Sequence, residues 1–199
     1  MHPAYAHLLK FYYEQLEQAL MSVEEASDDI GLLLQGLKAK EEIRELVVRY
    51  GLAVDGKDSE ILESIFTDDV KFHAAYGEFS FEGSAVLIEF FLTAVAAADR
   101  NSLHVTHGHI IDLDPANPDR ASGVLFGHAE LIPGDPTQSP KLAALRYDDK
   151  YRRVDGVWRF SERLLSFFYR VDAKTYAQDI MSETPVRGGE VPLPADFYF

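Results

Sequence analysis

The stretch from Lys40 to Phe66, KEEIRELVVRYGLAVDGKDSEILESIF, constrains the fold more than any other part of the chain. Ile43, Leu46, Val47, Tyr50 and Val54 recur at spacings of three and four, which predicts a helix with one apolar face. Gly56 is a natural stop, because glycine tolerates the left-handed conformation that ends helices. Asp58 or Ser59 can cap a second, short helix with Leu62, Ile65 and Phe66 on its buried side. An apolar helix therefore delivers a tyrosine, Tyr50, and a carboxylate, Asp55, at its C-terminal end. Asp55 is either a turn residue bonded to backbone or a functional group.

Taken in order, residues 4–21 read as an amphipathic helix with Leu9, Tyr12, Leu16 and Leu20 on one face. Ser22–Glu25 reads as a capping box for another helix reaching about Leu34. The apolar faces of this arm need a partner, either its own domain or another subunit. After the Lys40–Phe66 helices, Thr67-Asp68-Asp69 reads as a turn. Val70, Phe72 and Ala74 then alternate with Lys71 and His73 as a strand, and Gly77 turns it towards Phe79 and Phe81. A helix from Gly83-Ser84 to about Asp99 places Leu87, Phe90, Phe91 and Ala94 inward. Four long strands follow, separated by the turns PANPDR, GDPTQSP and Asp155-Gly156, the last a strong hairpin signal. Short connections predict antiparallel neighbours, and the element order predicts an α+β domain. The chain divides into a helical arm (1–37), a main domain (38–183) and a tail (184–199) whose Val191, Leu193, Phe197, Tyr198 and Phe199 must pack on something.

Composition excludes several functions. The 199 residues carry 33 acidic against 19 basic groups, a net charge of −14, which argues against nucleic acid and anionic membrane surfaces. There are no cysteines, so disulfides, thiolate nucleophiles and cysteine-bound metals are ruled out. No run approaches the roughly 20 apolar residues of a membrane span. The opening residues lack the basic flank and apolar core of a signal peptide, so a cytoplasmic protein is expected.

Three histidines share one predicted strand, His104-Val-Thr-His107-Gly-His109. In an ideal strand His104 faces opposite to His107 and His109. A metal held by His107 and His109 lacks a third ligand at suitable spacing, so no metal is expected.

The segments RYGLAVDGKDSEILESIFTDDVKF, SLHVTHGHIIDLD and YRRVDGVWRFSERL, in this order and spacing, resemble the SnoaL-like branch of the nuclear transport factor 2-like superfamily. The resemblance covers about residues 38–172. It implies a cone-shaped α+β barrel, a curved and mostly antiparallel sheet wrapped by helices. The similar members are cofactor-free lyases: scytalone dehydratase, bile-acid 7α-dehydratase and hexachlorocyclohexane dehydrochlorinase. The family's helix-end aspartate falls on Asp55 and its strand histidine on His104. The bile-acid enzyme's tyrosine falls on Tyr50, and the dehydrochlorinase arginine on Arg163. The second histidine of scytalone dehydratase has no counterpart in phase, His128 lying nearby, and the bile-acid enzyme's second-strand acid falls on Ala129.

These positions suit an elimination. An imidazole, with a reference pKa near 6.5, is matched to taking a proton near neutrality. A carboxylate on its other nitrogen fixes the tautomer and supports the imidazolium. His104 is expected as base, Asp55 as its orienter, Tyr50 as proton donor or polariser, and Arg163 as stabiliser of a developing anion. Phe72, Phe126, His128, Leu165 and Phe167 are the expected substrate-binding residues. The expected activity is a lyase without cofactor, expelling water, halide or a small carbonyl fragment such as formaldehyde from an aromatic or polycyclic molecule. The alternatives are a polyketide cyclase or isomerase, a non-catalytic binding member, and a dioxygenase small subunit. A homo-oligomer is expected, a trimer before a dimer.

Overall fold

The structure, a computed structural model, describes residues 3–75, 79–181, 186–187 and 193–196, with side chains over 13–23, 26–75, 79–181 and 195–196. The chain divides into two units, Met1–Lys40 and Glu41–Phe199.

Helix α1 runs unbroken over Pro3–Gly56, where the sequence predicts separate helices. The expected cap, Ser22, donates its hydroxyl to Ala19 O at 2.8 Å, a back-bond that a helix interior accommodates. No proline interrupts the chain between Pro3 and Pro115, and Gly31 costs only about 1 kcal/mol. At the other end, Lys57 N donates to Val54 O and Asp58 N to Ala53 O, a Schellman closure. The left-handed position falls on Lys57 (φ 54°), one residue later than the glycine expected to take it. Its ammonium donates to the carbonyls of Ala96 at 3.2 Å and Asp99 at 3.0 Å, so the strained residue anchors a segment distant in sequence. Asp58 caps α2 (Ser59–Ile65) by accepting from Ile61 N at 3.0 Å.

Strand β1 (Phe66–Ala74) begins where a turn was expected. Thr67 is buried and Asp69 pairs with Arg152, so this segment is held in the sheet despite its two aspartates. A register slip between Phe66 and Lys71 absorbs the irregularity. Strand β2 (Ser80–Glu82) returns antiparallel, with Phe72 opposite Phe81; Gly77 lies outside the described residues. Helix α3 (Ser84–Phe90) passes through a π-helical turn, Phe91–Val95, into α4 (Ala96–Ala98). The π turn changes the angular phase, which leaves Ala94 exposed while Leu87, Ile88 and Phe91 are buried.

The long strands are β3 (Asp99–Leu113), β4 (Arg120–Pro133), β5 (Lys141–Val154) and β6 (Val157–Asp172). Asp155 (φ 51°) and Gly156 (φ 80°) make the type I′ turn between β5 and β6. The sheet order is β2-β1-β6-β5-β4-β3; β1 joins β6 in parallel and the other neighbours are antiparallel. The result is a curled, unclosed sheet with helices, the expected cone. Tyr50 of α1 lies against Phe66, Phe91, Tyr147 and Phe160 at ring-centroid distances of 5.9–6.3 Å, which seats the helix on the concave face.

The described residues of the tail form two short strands, β7 (Val186–Arg187) parallel to β6 and β8 (Leu193–Pro194) beside β7. Asp196 N donates to Phe167 O at 2.9 Å, and Phe167 N donates to the Asp196 carboxylate at 2.5 Å. This part of the tail packs on its own β6. Val191 and Phe197–Phe199 lie outside the described residues.

Candidate active site

Strand irregularities decide which side chains face the concave side. A bulge inserts one residue and reverses the inward–outward alternation beyond it. In β3 the register shifts between His107 and His109, where Gly108 takes φ +63°. His107 and His109 therefore face opposite sides, contrary to the ideal-strand expectation, and His109 joins His104 inside. In β6, shifts at Ser161 and Phe168 place Trp158 and Phe160, then Arg163, Leu165 and Phe167, then Arg170 on the inner side.

The concave face encloses a cavity of about 360 Å³. Its walls are mostly apolar and include Phe72, Phe91, Leu145, Leu165 and Phe167; Tyr50, Asp99, Ser102, His104 and Arg170 supply the polar groups. Phe90 also lines it, so both residues of the Phe90–Phe91 pair face the cavity as well as the core.

Asp55 and His104 meet here. Asp55 Oδ1 lies 2.6 Å from His104 Nδ1, and Asp55 Oδ2 accepts from His104 N at 2.8 Å. Ser102 Oγ donates to Oδ1 at 2.7 Å. Burial raises the Asp55 pKa, but these bonds outweigh it and hold the carboxyl below its ordinary range. Asp55 is thus an ionised acceptor near neutrality, its carboxylate engages His104 at Nδ1, and Nε2 is the ring nitrogen not bound to it.

Tyr50 is buried in the cavity wall. Burial raises its pKa; the Arg163 charge and the Tyr147 side chain pull it back only in part, so the phenol keeps its proton.

Arg163 takes a different place from the one expected. It is completely buried and does not line the cavity. Its Nε and Nη2 donate to the two oxygens of Asp149 at 2.8 and 2.7 Å. The guanidinium carbon lies 4.0–4.2 Å from the ring centres of Tyr147, Phe160 and Tyr50. Burial disfavours its charge, but Asp149 more than compensates and keeps it protonated. Arg163 supports Tyr50 from behind. Among the described residues, the cation that lines the cavity is Arg170, and its Nε has no hydrogen-bond partner among them.

Phe126 and His128 fall on the outer face, because β4 keeps strict alternation and it is Ala129 and Leu131 that turn inward. There His128 Nδ1 lies 2.9 Å from His107 Nε2. Phe72, Leu165 and Phe167 lie in the wall as expected.

Sequence reasoning missed Asp99, Ser102, Asp149 and Arg170. Burial raises the Asp99 pKa, with Arg170, His104 and Lys57 opposing it. Its backbone is fixed by Lys57. Asp149 turns inward by plain alternation with Tyr147 and Tyr151, while the bulge at Phe168 that brings Arg170 to the cavity leaves no signature in one sequence.

Behind the cavity, Tyr151 donates to Asp149 at 2.8 Å, and His109 Nε2 lies 3.1 Å from the Tyr151 oxygen. Gly123 makes room, since a Cβ there would come within 2.8 Å of His109 Nε2. Burial lowers the His109 pKa, Asp149 opposes this, and Arg163 and Arg44 add to it. The unfolded chain then binds a proton that the folded chain refuses, so this residue's stability contribution is complete above about pH 6.5 and is lost as pH falls below it. Unfolding free energies measured from pH 7.5 to 5 should decline, and His109→Gln should flatten the decline; an unchanged slope in the variant would assign it elsewhere.

The SnoaL-like domain profile matches residues 35–164. The chain belongs to the SnoaL-like family. Solved structures of the nuclear transport factor 2-like superfamily share its fold. Hexachlorocyclohexane dehydrochlorinase LinA-type3 from Novosphingobium barchaimii is 22% identical, with 70% of this chain and 92% of that one covered and a TM-score of 0.62. A proposed scytalone dehydratase from Novosphingobium aromaticivorans is 20% identical, with 69% and 89% covered and a TM-score of 0.63. A nuclear transport factor 2-like protein from Salmonella enterica is 18% identical, with 66% and 92% covered and a TM-score of 0.59. No curated protein matches the sequence. In this SnoaL-like chain no described helix is long and apolar enough to cross a membrane.

Proposed function

We propose that this SnoaL-like protein is a lyase that needs no cofactor and acts on a hydrophobic aromatic or polycyclic small molecule. The observation that carries the reading is the Asp55–His104 pair at 2.6 Å, with the imidazole lining an apolar cavity. Nε2 of His104 takes a proton from a substrate carbon, and Asp55 supports the imidazolium. For loss of water or halide, the C–H electrons form the new double bond as the leaving group departs with its own bonding pair. For loss of a small carbonyl fragment, Nε2 instead takes the proton of the carbinol hydroxyl, the O–H electrons form the departing carbonyl, and the C–C bond breaks with its pair left on the remaining carbon, which is then protonated. Tyr50 supplies an O–H to the substrate oxygen. Asp99, which holds its proton more readily than an ordinary carboxyl, protonates a basic leaving group. Arg170 takes the anion-stabilising role first given to Arg163. The dehydrochlorinase and dehydratase names among the structural neighbours support this class of reaction. Cytoplasmic location and assembly of the cone as a trimer belong to the same proposal.

A thermal-shift screen over aromatic alcohols, halides and steroids tests the substrate class. A ligand at 100 times its dissociation constant stabilises by about 2.7 kcal/mol. For a chain of this length that is a rise of about 5–10 °C. Hits should then be turned over by the wild type and bound but not turned over by His104→Ala. Hits bound by both and turned over by neither would make the protein a binding member of its family.

A further inference from the structure

The described residues of the first unit all belong to one helix, α1, with no other described element in that unit to pack against. Helices draw most of their stability from burying an apolar face, so this one needs a partner. Its apolar residues repeat every seven positions: Leu16, Val23, Ile30 and Leu37 form one column, and Ala19, Ala26 and Leu33 lie three residues after the first three of them. Leu9 and Tyr12 continue the same columns in the sequence. These are the a and d positions of a heptad, a period of 3.5 that fits another helix wound around this one. The larger members are bare: Leu16 is 57% exposed, Val23 66%, Ile30 58%, Leu33 63% and Leu37 56%.

We infer that this helix pairs with the same helix of a second copy, as a two-stranded antiparallel coiled coil. Two observations select a second copy. The seam complements itself: run antiparallel, with residue numbers facing each other summing to 49, Val23 meets Ala26 of the second copy and Ile30 meets its Ala19. Large then faces small in the centre, and Leu16 meets Leu33 nearer the ends. A parallel pair would instead stack alanine on alanine at Ala19 and Ala26. The area also suffices. With Leu20 and Leu34 flanking the seam, also exposed, seven large side chains at on the order of 100 Å² each approach the ~800 Å² per partner of a stable interface.

The test is native mass by light scattering on the full chain at micromolar concentration. Val23→Asp with Ile30→Asp should halve the mass, from dimer to monomer or, with the cone a trimer as proposed, from hexamer to trimer. Emission of Trp158, the chain's single tryptophan and a buried one, should stay constant and show the cone still folded. An unchanged mass would overturn the proposal. Because the chain has no cysteine, orientation can be read by oxidation. Leu16→Cys and Leu33→Cys should cross-link when mixed. Neither should cross-link alone, since like positions lie 17 residues apart, about 25 Å along the helix. Efficient cross-linking of each variant with itself would overturn the antiparallel arrangement. The cavity and its dyad play no part in this result.

Discussion

His104→Ala lowers turnover of the true substrate by about 10²–10⁴-fold, the usual share of a positioned general base. The loss should appear in kcat, because the apolar wall proposed to bind substrate is untouched. Asp55→Asn is damaging for another reason. Its shape survives, but its charge does not, and an amide can hold the imidazole in the wrong tautomer. Asp55 and His104 act as one unit, so the double variant should lose little more than the worse single one. Circular dichroism must show each variant folded, since the Asp55 bonds to Ser102 and His104 also tie α1 to β3. A folded His104→Ala enzyme with full activity would remove this histidine as base. His109, the other histidine on the inner side of β3, would be the next candidate.

Asp149→Ala destabilises the protein by about 3–5 kcal/mol, because it strands the Arg163 charge in a completely buried site. For a chain of this length the melting temperature should fall by about 6–20 °C. The variant also removes the acceptor of the Tyr151 hydroxyl. Replacing both partners, Asp149→Leu with Arg163→Met, should cost less than Asp149→Ala alone, since no buried charge is then left unpaired. Urea unfolding of the three proteins measures this. A cost below about 1 kcal/mol for Asp149→Ala would mean that water reaches the guanidinium, contrary to its complete burial.

The sequence carried the fold wherever local pattern and tertiary packing agreed. The apolar face of Ile43 to Val54, the Asp58 cap and the Asp155-Gly156 hairpin each follow from a few neighbouring residues. Asp55 and His104 were legible because a carboxylate ending an apolar helix and a histidine in a strand match a family pattern. What could not be read depended on phase. One bulge at Gly108 turns His109 inward, and another at Phe168 brings Arg170 to the cavity. Arg163 was placed on the right strand, but its partner, Asp149, lies on the neighbouring strand and redirects it from substrate to support. Lys57 was invisible for a similar reason: its role comes from carbonyls about forty residues away. The break expected at Ser22 failed because a serine hydroxyl can satisfy itself inside a helix as well as at its start.

The central claim is that His104 presents an unprotonated Nε2 to the cavity. Long-range ¹H–¹⁵N correlation spectra of the imidazoles at neutral pH test it without any substrate, with the His104 signals assigned by their loss in His104→Ala. With Asp55 ionised and 2.6 Å from Nδ1, the account predicts the Nδ1–H tautomer for His104, and its weakening in Asp55→Asn. A His104 ring found as the Nε2–H tautomer, indifferent to Asp55→Asn, would contradict it.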